Sequence, residues 1–310
     1  DSGYNIGISK KKVKEIITVS KRTEKKPVQV KIEINSTLPT ISILHTGGTI
    51  ASKVDYETGA VVAKYSSEEI VDMFPELETM ANIKSRFLGN MWSEDMRFSH
   101  YNSMAKEIAK ELKEGVDEII ITHGTDTLAY SSAALSFILE DLPIPVLLVG
   151  AQRSSDRGSS DACVNLLSAV YFILESDFAE VGVCMHKGMS DDVCVILPGL
   201  KCRKMHSSRR DAFHAVNARP YAEVDFSQKN IQIIDNSFQK KSKKDMQLKL
   251  FKNVKVGWVR SHPEMHASEL KIYSKYDGLL LEGTGLGHMP IASDSEHEKI
   301  FKELRKLAKK

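Results

Sequence analysis

Three short, largely apolar runs, each emptying into a polar loop, constrain this chain more than any other feature. They are Ile41-Ser42-Ile43-Leu44, Glu118-Ile119-Ile120-Ile121-Thr122 and Val146-Leu147-Leu148-Val149. Their length, their β-branched content and the turn signals beside them read as strands buried on both faces. After the first of them, Met104, Ile108 and Leu112 recur at four-residue spacing, with Gly115 where such a helix would stop. A second helical run passes through Ala134 and Leu135 to Leu139. Buried strands alternating with helices predict an α/β fold on a doubly wound, mostly parallel sheet. The strands end in His45-Thr46-Gly47-Gly48-Thr49, in His123-Gly124-Thr125-Asp126-Thr127 and in the polar loop Gln152 to Asp161. Open parallel sheets bind ligands beyond the carboxyl ends of their strands, so one crevice can collect all three loops.

The rest of the chain divides around this core. Residues 1–36 are Lys-rich with alternating β-branched positions and read as the remnant of a small β module. The main α/β domain is expected over 37–238, a Lys-rich connection over 239–255, and a smaller C-terminal α/β domain over 256–310 that ends before its sheet is complete. The chain opens on Asp1 without Met and stops in a Lys-rich helical pattern, which reads as a fragment. A formal charge of +2 gives no whole-chain attraction to nucleic acid or anionic lipid. The cysteines at 163, 184, 194 and 202 form no CxxC pair, as expected of buried thiols in a reducing, cytoplasmic setting. No apolar stretch is long enough to span a membrane, and no partner in the bilayer is expected.

Chemistry must come from the loops. Thr46-Gly47-Gly48-Thr49 sets hydroxyls beside glycines that let backbone N–H groups approach a substrate, which suits a nucleophile and an oxyanion. Taken alone it is equally a strand-to-loop turn whose threonines cap the next element. Gly124-Thr125-Asp126-Thr127 carries the same ambiguity, since Asp126 or Thr127 can be a helix N-cap. The conjunction of two Gly-Thr loops with the ligand-orienting run Ser93-Glu94-Asp95-Met96 favours a site. A threonine attacks only when something takes its proton. The candidates are Lys204, Asp126 and the phenol of Tyr56, and Lys204 fits only if it is not freely solvated.

Other signals are weaker. His262-Pro263-Glu264-Met265-His266 lacks the HExxH order and contains a proline, so no metal is expected. Gly283-Thr284-Gly285-Leu286-Gly287 lacks the dinucleotide spacing, and neither a Walker A sequence nor a GxSxG elbow is present.

With both Thr loops and the lysine aligned, residues 40–310 resemble the L-asparaginase/glutaminase family. Thr46-Gly47-Gly48-Thr49-Ile50-Ala51 and His123-Gly124-Thr125-Asp126-Thr127 match its two hallmark motifs in order and approximate spacing. The loop from Ala151 to Ala162, the run Arg203 to Asp211 and the N-terminal β segment are most similar to the glutaminase subunits of archaeal tRNA-dependent amidotransferases. The resemblance implies Thr49 as nucleophile with Tyr56 beside it, and Thr125, Asp126 and Lys204 as a second catalytic group. Ser93 and Glu94 would hold the substrate's α-amino and α-carboxylate groups, and Gly48 and Gly124 would also be substrate-binding. It further implies L-glutamine as substrate and a homodimeric core. A tRNA-binding partner subunit would hold ATP and Mg and act on Glu-tRNA(Gln) in a heterotetramer, so this chain itself needs no cofactor. Two alternatives stand: a free-standing L-asparaginase, and a silent amino-acid-binding or scaffolding subunit.

Overall fold

The computed structural model describes residues 35–48, 50, 53–54, 61–62, 73–153 and 159–309. The expected N-terminal β module lies outside them, save for its last two residues. The chain divides into two compact units, one ending at Leu250 and the other running over Phe251–Lys310. In the first unit the main elements are β1 (Thr40–His45), β2 (Asn82–Phe87), α1 (Phe98–Lys113), β3 (Glu118–Thr122), α2 (Leu128–Ile138), β4 (Val146–Val149) and α3 (Ala162–Glu175). They continue through β5 (Val181–His186), β6 (Cys194–Pro198), β7 (Cys202–Lys204), β8 (Phe213–Ala215), β9 (Ala222–Asp225) and β10 (Asn230–Ile233).

The expected sheet is present, eight strands wide in the order β10-β9-β6-β5-β4-β3-β1-β2. β2, β1, β3, β4 and β5 run parallel, and β6, β9 and β10 add an antiparallel flank. The chain leaves β1 toward β2 and returns on the other side as β3. The crevice between β1 and β3 is therefore the topological switch point, where the two Gly-Thr loops emerge side by side.

Burial explains why the strands read as unbroken apolar runs. Ile41, Ile43, Ile120, Leu147 and Val149 pack with Leu166, Val170 and Phe172 of α3. The residues that alternate with them, Leu44, Ile119, Ile121 and Leu148, point to the opposite face and are equally inaccessible. α1 ends as its sequence predicts: Gly115 takes φ of +82°, the left-handed turn that favours glycine.

The Lys-rich stretch read as a connection is tied down over its first half. Gln239 N donates to Glu180 Oε2 at 2.9 Å, Lys241 pairs with Glu118 at 2.6 Å, and Gln247–Leu248 pairs with Leu139–Glu140. Its anchor is a ring cluster in which Phe178 stands 5.4 Å from Phe172, 5.8 Å from Tyr221 and 5.3 Å from Phe238. Lys241 pairs with one oxygen of the buried Glu118 carboxyl instead of facing solvent alone, which sequence composition does not reveal.

The second unit has a parallel pair, β11 (Val256–Arg260) and β12 (Gly278–Glu282), with α4 (Ala267–Lys271) and α5 (Ser295–Leu307). Val259, Met265, Leu270 and Ile300 form its core. Asp294 caps α5 by accepting the N–H groups of Glu296 and His297 at 2.9 Å. The His262–His266 run leads into α4, with His262 on Glu269 at 3.0 Å. The four cysteines are free, three of them buried. No described helix is long and apolar enough to cross a membrane.

Because Phe178 holds the ring cluster together, Phe178→Ala should cost about 3–5 kcal/mol of stability. Chemical denaturation reads the loss, and limited proteolysis should show faster cleavage between residues 239 and 250.

Candidate active site

Two strand ends are joined by their backbones. Thr46 donates from its N–H at 3.2 Å and from its hydroxyl at 2.9 Å to the same acceptor, Thr122 O. Beneath them His45 Nδ1 meets Thr122 Oγ1 at 2.8 Å. Gly48 then turns with φ of +84°, and a side chain there would lie 2.6 Å from the Gly124 backbone. A side chain on Gly47, which has φ of +110°, would lie equally close to the Met91 backbone. A side chain on Gly124 would strike Ser93 Cβ at 2.7 Å. Gly47 and Gly48 thus serve both a left-handed turn and a contact with a neighbouring backbone that no side chain permits, while Gly124 leaves room for Ser93.

The second loop is fixed from below. His123 Nδ1 lies 2.7 Å from Gly124 O, an acceptor only, so this nitrogen carries the proton, and Nε2 accepts from Ser131 Oγ at 2.8 Å. Burial drives the His123 imidazole down to about 4, so the ring is neutral as that arrangement requires. His45 is likewise lowered to about 4 by burial. Thr127 is no N-cap of α2 through its side chain; its hydroxyl donates to Ser93 O at 2.6 Å and holds the Ser93–Asp95 turn against the loop.

At the rim Thr125, Asp126 and Lys204, the residues expected to form a second catalytic group, are in contact. Lys204 Nζ donates to Thr125 Oγ1 at 2.8 Å and to Asp126 Oδ1 at 2.7 Å. The lysine side chain is 10% exposed and Asp126 69%, so the amine is shielded while the carboxylate still faces incoming solute. Ser93 is buried at the crevice wall, and Glu94 beside it is exposed. Gly48, Gly124, Ser93, Thr125, Asp126 and Lys204 are thereby brought to one place. Thr49 and Tyr56 lie outside the described residues.

Sequence reading missed several supports. Gly150 ends β4, where a side chain would approach Thr125 Cγ2 to 2.8 Å, so its absence leaves room for the Thr125 methyl. Its position at the third strand end was the available signal. His123 lay inside a hallmark motif without a role of its own, and Ser131, eight residues on, carried no signal at all.

The sequence from 40 to 238 matches the family model described as Asparaginase, N-terminal. The chain belongs to the asparaginase family. It is 46% identical over 294 residues to the D subunit of glutamyl-tRNA(Gln) amidotransferase from Pyrococcus furiosus, covering 94% of this chain and 67% of that protein. The corresponding amidotransferase subunit of Methanococcus maripaludis is 43% identical over 93% of this chain and 70% of its own length. Among solved structures, the thermostable L-asparaginase from Thermococcus kodakarensis superposes with a TM-score of 0.73 at 28% identity, over 86% of this chain and 77% of that one. The family match spans the doubly wound domain and its strand-end loops.

Two outcomes follow for this family member. Gly48→Ala, by separating the loops, and Gly124→Ala, by displacing Ser93, should each lower turnover at least about tenfold, as steady-state ammonia release would register. The buried histidines bind protons in the unfolded chain before the folded one, because their folded values near 4 lie below 6.5. Their contribution is therefore intact above pH 6.5 and lost as pH falls toward 4. Melting temperatures across that window should drop, and His123→Gln should flatten the slope.

Proposed function

We propose that this chain is the glutaminase subunit of a tRNA-dependent amidotransferase, hydrolysing the side-chain amide of L-glutamine and passing ammonia to a partner subunit. The named relatives support the reading at the level of the complex. The observation that carries the chemistry is the shielded Lys204 amine, 2.8 Å from Thr125 Oγ1 and 2.7 Å from Asp126 Oδ1.

In this scheme the Thr49 hydroxyl adds to the amide carbon of glutamine, and the Thr125–Lys204 pair carries the proton from the attacking group to the leaving nitrogen. Backbone N–H groups of a Gly-Thr loop face the oxyanion. Collapse breaks the C–N bond, releases ammonia and leaves a γ-glutamyl ester on Thr49. Water, losing its proton to the same pair, then cleaves the ester, giving glutamate and restoring the hydroxyl. Thr125 is the other candidate for first attack. The exposed Asp126 and Glu94 carboxylates suit the substrate's α-ammonium, and by resemblance to the family Tyr56 would assist Thr49.

The partner subunit would bind tRNA, ATP and Mg, activate Glu on tRNA(Gln) and use the ammonia to make Gln-tRNA(Gln). The assembly is expected to be a cytoplasmic heterotetramer around a homodimeric core.

The test is ammonia release from L-glutamine and from L-asparagine by the intact protein, with and without partner subunit and Glu-charged tRNA. Glutamine-preferring release that rises with partner and tRNA is expected. Partner-independent asparagine hydrolysis would make the protein an L-asparaginase, and binding without release a silent subunit. Lys204→Ala should lower turnover by roughly 10²–10⁴, and Thr49→Ala should abolish acyl-enzyme trapping. Equal turnover and trapping after Thr49→Ala would move the nucleophile elsewhere.

A further inference from the structure

Lys204 ends β7, paired with Phe213 of β8, and the loop between them is closed by Met205 N donating to Ala212 O at 2.7 Å. From Met205 to Arg209 every residue of that loop is exposed, yet Arg210 is 9% exposed. A cation is buried only where partners neutralise it. Arg210 pairs with Asp191 and donates to Ser159 O. Asp191 in turn contacts His186 Nε2 at 3.2 Å, and His186, fully buried, reaches Asn165 Oδ1 through Nδ1.

Asn165 is the hub of this network. Its amide donates to Gly150 O at 2.9 Å and to Asp161 Oδ2 at 3.1 Å, and Cys194 Sγ donates to its Oδ1 at 3.3 Å. Asp161 accepts the N–H groups of Gln152 at 3.0 Å and Arg153 at 2.9 Å. Gln152 Nε2 returns to the lysine's loop, donating to Arg209 O at 2.6 Å. At one end stands the hairpin that carries Lys204; at the other stands Gly150, against which the Thr125 methyl rests.

We propose that Arg210 is a positioning residue for Lys204, the keystone of a bracket through Asp191 and the buried His186 and Asn165 that sets the separation between the Lys204 amine and the Thr125 hydroxyl. The bracket reaches the two side chains through the β7–β8 hairpin and the Gly150 backbone, so it acts through them and not on the substrate. Proton transfer depends steeply on donor–acceptor distance, and Arg210 itself does not line the cavity beside Asp126 and Lys204. The proposal rests on the reading of Lys204 as the activator of a threonine.

The experiment is a double-mutant cycle on glutamine hydrolysis in the intact protein with its partner: wild type, Arg210→Ala, Lys204→Ala and the pair, with melting temperatures for each. Arg210→Ala should lower kcat about ten- to a hundredfold with KM unchanged, and should have no further effect once Lys204 is alanine. Asp191→Asn, a change at a half-exposed site that leaves the loop's backbone intact, should move kcat in the same direction by less. Arg210→Ala with normal kcat, or with the same fractional loss in the Lys204→Ala background, would overturn the proposal while leaving the reading of Lys204 in place. Undiminished turnover by Lys204→Ala would overturn that reading, and the proposal with it.

Discussion

The contact between Gly48 and Gly124 is the constraint on which the site depends. A side chain on Gly48 would stand 2.6 Å from the Gly124 backbone, so the two strand-end loops can meet only because Gly48 carries none. The sheet brings them within reach. β1 and β3 are adjacent and parallel, in register from Ile41 with Glu118 to His45 with Thr122, and the chain reverses its winding direction between them. Any other strand order would send the loops to different crevices.

Beneath the contact lies a neutral floor. His45 and His123 are buried without charge, and each is used for direction: one tied to the Thr122 hydroxyl, the other to Gly124 O and Ser131. Charge is kept for the rim, where Lys204 meets Asp126 beside Thr125. In the proposed chemistry, a shielded amine beside an open carboxylate would separate the group that moves a proton from the group that meets a cationic substrate. That division suits hydrolysis of an amino acid's side-chain amide.

Much of this was legible in the chain. The strands are buried on both faces, so they appear as unbroken apolar runs, and the loops carry hydroxyls and glycines at each strand end. Lys204 could be matched to Thr125 only through family resemblance, because 79 residues separate them and closure depends on where the β7–β8 hairpin lands. The packed course of residues 239–250 was hidden, since a lysine written in sequence does not say whether its partner is water or Glu118. Gly150, Ser131 and Asn165 support the site through backbone approach and single hydrogen bonds, which leave no periodic trace. Thr49 and Tyr56 rest on resemblance, as they lie outside the described residues.

If both Gly-Thr loops serve one site for the glutamine side chain, a glutamine-derived diazoketone should label the intact protein within them, as peptide mapping with and without excess L-glutamine would show. One adduct per chain is expected, on Thr49, suppressed by L-glutamine. Labelling outside both Gly-Thr loops, or labelling that L-glutamine does not suppress, would mean that the loops do not share that site.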